Sequence, residues 1–118
     1  MAFLPALMWA VLIAVLSVVA GLRLPAVRVG GIGPDKLAHF GVYAVLAVLL
    51  AWGFSRQHAA WPTIAASVFI LLAGFGFGAL MEGLQAWFVP ERSFEYADMA
   101  ANAFGIFAGW MASLFIFK

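Results

Sequence analysis

Four long apolar runs, separated by short polar or Pro/Gly-rich stretches, set the pattern of the chain. Residues 1–22 contain no charged side chain. About 20 apolar residues are enough to cross a bilayer, so the first run predicts a helix over residues 2–22. It has no opening Lys or Arg, and its apolar stretch is longer than that of a cleaved signal. It is therefore expected to be a retained membrane helix. Pro25, Gly30, Gly31, Gly33 and Pro34 then interrupt regular structure and mark an external loop. Within that loop Arg23 and Arg28 suit an interfacial, snorkelling role. Gly33-Pro34-Asp35 signals a helix start, because proline fits the first turn and an acid suits the positive end of the dipole. The second helix is placed at 36–54, with a short loop at 55–60. A third helix at 62–88 opens on Pro62 and is stopped by Pro90. A polar connection leads to a fourth helix at 95–117.

Composition turns these runs into membrane spans. The chain has 118 residues, of which 67% are hydrophobic and 9% charged. A soluble domain of that size needs far more polar surface to cover itself. The expected fold is thus an all-α membrane protein, a four-transmembrane-helix antiparallel bundle forming one domain over residues 1–118. The lipid bilayer is its obligatory partner, and a multi-pass location in the bacterial inner (cytoplasmic) membrane follows from the family resemblance described below. With no cysteine, disulfides, thiolate metal sites and cysteine nucleophiles are excluded. A net charge of +1 gives no reason to expect nucleic acid as a partner.

The few polar residues are not scattered. Glu82 ends a run from Trp61 to Met81 that carries no other charge. A charged side chain in hydrocarbon costs roughly 2.5–3.5 kcal/mol on insertion scales, so it calls for partners. Glu82 and Gln85 share a helix face with Gly74 and Gly78. On the second helix Asp35, His39 and Tyr43 are spaced by four, with Lys36 at the edge of their stripe. On the fourth, Asp98, Asn102, Gly105 and Gly109 repeat the design of the third: polar groups at the mouth and small residues behind. Such small-residue seams let helix backbones approach closely in lipid.

In a four-span topology the first and third loops share a side. Asp35, Lys36, His39, Tyr43, Glu82, Gln85, Arg92, Asp98 and Asn102 all fall there. The opposite side holds little beyond Arg56, His58 and Lys118. His39 and His58 are about a bilayer apart, which excludes a bis-histidine haem within one chain.

Two interpretations fit this cluster. As a site, Lys36 and Arg92 hold an anionic group, Glu82 or Asp98 acts as general base, and His39 serves as acid or proton shuttle. The candidate catalytic residues are then His39, Glu82 and Asp98. Asp35, Lys36, Tyr43, Gln85, Arg92 and Asn102 are the candidate substrate-binding residues. As a structural clasp, Glu82 pairs with Arg92 and Lys36 with Asp98, and the pairs only fix bundle geometry. A clasp has no need of histidine, tyrosine, glutamine and asparagine gathered at the same place. A metal held by His39, Glu82 and Asp98 is a variant of the site, but no close-spaced pair such as H-x-x-x-H announces it. No metal or cofactor is therefore expected.

Three stretches resemble the VanZ-like family as a set. They are Asp35-Lys36-Leu37-Ala38-His39-Phe40 with Tyr43, Glu82-x-x-Gln85, and Arg92-Ser93-Phe94 with Asp98-x-x-x-Asn102-x-x-Gly105. The resemblance runs in order from Asp35 to Gly109. It implies a small integral membrane protein, in a family named after a member linked to low-level teicoplanin resistance. The expected function is binding or modification of an amphiphilic envelope substrate, such as a lipid-linked precursor, at headgroup level. A non-catalytic membrane protein that binds a lipid or a partner is the alternative. A small drug exporter fits less well, because that class carries its essential glutamate in the first helix, where this chain has no ionisable side chain.

Overall fold

The computed structural model describes residues 1–18, 34–57, 61–88 and 96–117, with only the backbone described at 34 and 35. These residues form four helices and no strand: α1 (Leu4–Val18), α2 (Pro34–Gln57), α3 (Ile64–Phe88) and α4 (Tyr96–Ile116). Three of them, α2, α3 and α4, are long and apolar enough to cross a membrane. The described part of α1 is equally apolar but shorter, 15 residues. At 1.5 Å per residue it spans about 22 Å, against about 30 Å of hydrocarbon.

Among the boundaries that differ from the sequence expectation, two have a visible cause. α2 runs on through Ser55, Arg56 and Gln57, which were expected to form a loop. No Gly or Pro interrupts those positions, and the Ser55 hydroxyl returns to the Trp52 carbonyl at 2.8 Å, so the helix simply continues. α3 begins at Ile64 rather than Pro62. Thr63 caps it, its Oγ1 accepting from the Ala66 amide at 3.1 Å, which satisfies one of the donors that a helix start leaves without a partner.

The centre of the bundle is the α2–α4 interface, the most extensive in the fold. A Cβ built on Gly105 would run into the Phe40 carbonyl oxygen, and one on Gly109 into that of Ala44. Both pairs are four residues apart, so the two helices run parallel in matched register. Ala47, Ala51 and Ser113 continue the seam, each fully buried. α3 lies antiparallel across this pair: Gly74 faces Ile106, and Gly78 faces Asn102 and Tyr43. Glycine at these four positions removes the side chain that would hold the backbones apart, and close approach recovers dispersion energy that lipid would otherwise supply.

α1 packs against α2 and α3. At one end Phe3, Phe54 and Phe69 meet edge to face, with centroids 5.0 and 5.5 Å apart. Midway, the Trp9 indole donates to the Val42 carbonyl at 2.9 Å. At the other end the Gln85 amide donates to the Ser17 carbonyl at 3.1 Å. Gln85→Leu is expected to cost about 1 kcal/mol by orphaning that buried carbonyl. A thermal melt in detergent checks this, and an unchanged midpoint would show that the tie carries no weight.

Candidate functional site

The polar residues gather where α2 and α4 begin and α3 ends. Lys36 and His39 lie in the first two turns of α2, Asp98 in the first turn of α4, and Glu82 six residues before the end of α3. At 1.5 Å per residue Glu82 is about 9 Å inside that end. The positive ends of two helix dipoles thus face two carboxylates, a favourable arrangement.

Burial is nearly complete. Glu82, Gln85 and Asn102 are 1% exposed and Asp98 0%, while His39 is 5% exposed. Lys36, at 25%, is the cluster's opening to the outside among the described residues. Its Nζ lies 2.5 Å from Asp98 Oδ1. The imidazole of His39 sits between the two carboxylates, Nδ1 3.9 Å from Glu82 Oε1 and Nε2 3.7 Å from Asp98 Oδ2. His39 Nδ1 is also 2.8 Å from Asn102 Oδ1. An amide oxygen only accepts, so Nδ1 carries the hydrogen and donates it. Nε2 is thereby directed at Asp98.

Backbone packing sets this geometry. Gly78 lies against Asn102, whose Cβ and Nδ2 would each be 3.1 Å from an added Cβ. A side chain there would displace the amide that orients His39. Tyr43, 1% exposed, closes the cluster from beneath, against Gly78 and with its ring 6.1 Å from that of Phe77.

His39, Tyr43, Glu82, Gln85, Asp98, Asn102 and Lys36 therefore share one end of the bundle, on three helices. Arg92 and the side chain of Asp35 lie outside the described residues, as do Arg23, Arg28 and His58. Gln85 reaches past the cluster to α1. Sequence reasoning did not foresee the part played by Ser17 and Trp9. Ser17 contributes a backbone carbonyl, which no side-chain pattern can reveal.

Below the cluster an apolar groove of about 460 Å³ lies between α1, α2 and α3. Ala6, Ala10, Leu50, Phe69, Ala73 and Phe77 are among its walls. Phe77 links the two regions, lining the groove and packing beside Tyr43.

Apolar spans and a polar end of this kind define a small multi-pass integral membrane protein. The chain belongs to the VanZ/LLP1 family, whose model matches residues 21–117. No curated protein and no solved structure matches it.

Proposed function

We propose that the protein lies in the bacterial cytoplasmic membrane and takes the polar head of an amphiphilic envelope substrate, such as a lipid-linked precursor, at the Lys36–His39–Glu82–Asp98 cluster. The observation that carries this is the junction at Phe77, where an apolar groove meets a polar array walled by Tyr43. An amphiphile has the same two parts, one wanting hydrocarbon and the other charge and hydrogen bonds. Lys36, the partly exposed cation of the set, meets an anionic headgroup first. His39 lies between Glu82 and Asp98 at 3.9 and 3.7 Å, and the three form the polar wall that receives the head. The teicoplanin link carried by the family resemblance belongs to this proposal: altering or holding an envelope precursor would raise tolerance of a drug that targets the envelope.

Native mass spectrometry of protein extracted in mild detergent tests it. Wild type is expected to retain an anionic amphiphile. Lys36→Met should lose it through the headgroup and Ala73→Phe through the chain, while both remain folded. A wild type that carries no lipid, or variants that retain as much lipid as wild type, would overturn the proposal.

The contact between Lys36 and Asp98 favours a second interpretation, a non-catalytic protein in which the pair is a structural clasp. It is set against the first in the Discussion.

A further inference from the structure

We infer that His39, Glu82 and Asp98 hold a divalent transition-metal ion of the zinc or manganese type. This rests on the cluster being a site and names what sits at its centre. One ligand atom from each of the three residues lies within 4.8 Å of the others, and all three residues are buried. Around a cation with bonds of about 2.0–2.2 Å, ligand atoms stand about 3–4 Å apart. Closing the set on Nε2 requires the Glu82 carboxylate, whose Oε1 lies nearest Nδ1 at 3.9 Å, to turn across the ring.

The histidine supplies the second observation. Asn102 Oδ1 lies 2.8 Å from Nδ1, and the neutral tautomer that donates to it offers the Nε2 lone pair as a ligand. That buried Nε2 has no hydrogen-bond partner among the described residues. Instead it faces Asp98 Oδ2 at 3.7 Å. Two acceptors pointed at each other repel, and a positive charge between them reverses the sign. Lys36 Nζ engages the other oxygen of Asp98.

The surroundings also resemble the supports that metal ligands need. A ligating histidine donates its other ring N–H to an oxygen, and a ligating carboxylate is itself held by a donor. Asn102 does the first for His39, and Lys36 the second for Asp98. One imidazole and two carboxylates suit zinc, manganese or ferrous iron better than calcium or magnesium, which favour all-oxygen sets.

The test uses the full chain in nanodiscs, stripped with chelator and dialysed against Zn²⁺ or Mn²⁺ separately. Wild type should bind one ion per chain. His39→Gln, Glu82→Gln and Asp98→Asn should each weaken binding at least tenfold, whereas His58→Gln should leave it unchanged. Asn102→Leu keeps all three ligands but frees the imidazole, and a loss of about 10–100-fold is expected. With Mn²⁺, electron paramagnetic resonance should show nitrogen coupling that disappears in His39→Gln. Absence of saturable binding to wild type, or binding that survives His39→Gln, overturns the inference. Wild type that binds neither ion yet captures an amphiphile overturns the metal alone. Wild type that binds the ion but captures no amphiphile overturns the proposed function alone.

Discussion

Replacing Gly105 with leucine should prevent the bundle from assembling, with loss of monodisperse protein in detergent. Even the first carbon of a new side chain meets Phe40 backbone: its carbonyl oxygen, then its carbonyl carbon and Cα at 3.1 Å. A side chain can rotate out of the way, but a helix backbone cannot. α2 and α4 would have to separate along the seam that also carries Gly109, Ala47 and Ser113. Overpacking a core typically costs about 1–3 kcal/mol where neighbours can adjust. Here nothing adjusts, so the cost should exceed that range. Gly105→Ala should already destabilise markedly. Gly76 and Gly83 are the controls, since nothing lies within 4 Å of a Cβ at either. Alanine there should be neutral or stabilising by up to about 1 kcal/mol, its advantage over glycine in a helix. Thermal melts of the four variants check the contrast, and equal melting of Gly105→Ala and Gly76→Ala would remove the seam from the account.

Much of this was legible in the sequence because lipid simplifies the code. A charge or amide in an apolar run is costly, so Glu82, His39, Asp98 and Asn102 had to turn inward, and sharing one end of the chain's spans left them one place to meet. The four glycines of the seams were legible through their spacing. The partner each would touch was not, because Phe40 and Ala44 contribute backbone, and backbone leaves no mark in a sequence. The same holds for the Ser17 carbonyl that receives Gln85. The metal-like grouping was weighed as a variant of the site and set aside for want of a close-spaced ligand pair. His39, Glu82 and Asp98 come from three helices, so no local ligand spacing exists to be read; only the fold supplies their proximity. The end of α2 was misplaced because Ser55, Arg56 and Gln57 read as polar loop, although nothing in them breaks a helix.

Glu82→Gln and His39→Gln should abolish function while leaving the fold intact. If the cluster is only a clasp, removing one charge leaves another buried without compensation, at a cost of about 3–5 kcal/mol. Stability and function would then fall together. If it is a site, its crowding of carboxylates is kept at the expense of stability, and neutralising Glu82 relieves part of that expense. Glutamine matches glutamate in shape and can hydrogen-bond in its place, so packing around this buried position is preserved. The most direct measurement pairs the melting temperature of purified Glu82→Gln in detergent with its ability to replace wild type in a strain that depends on this gene. With both proteins stripped of metal, the account predicts an equal or higher melting temperature and no rescue. A melting temperature that falls in step with the loss of rescue, or full rescue by the variant, would contradict it.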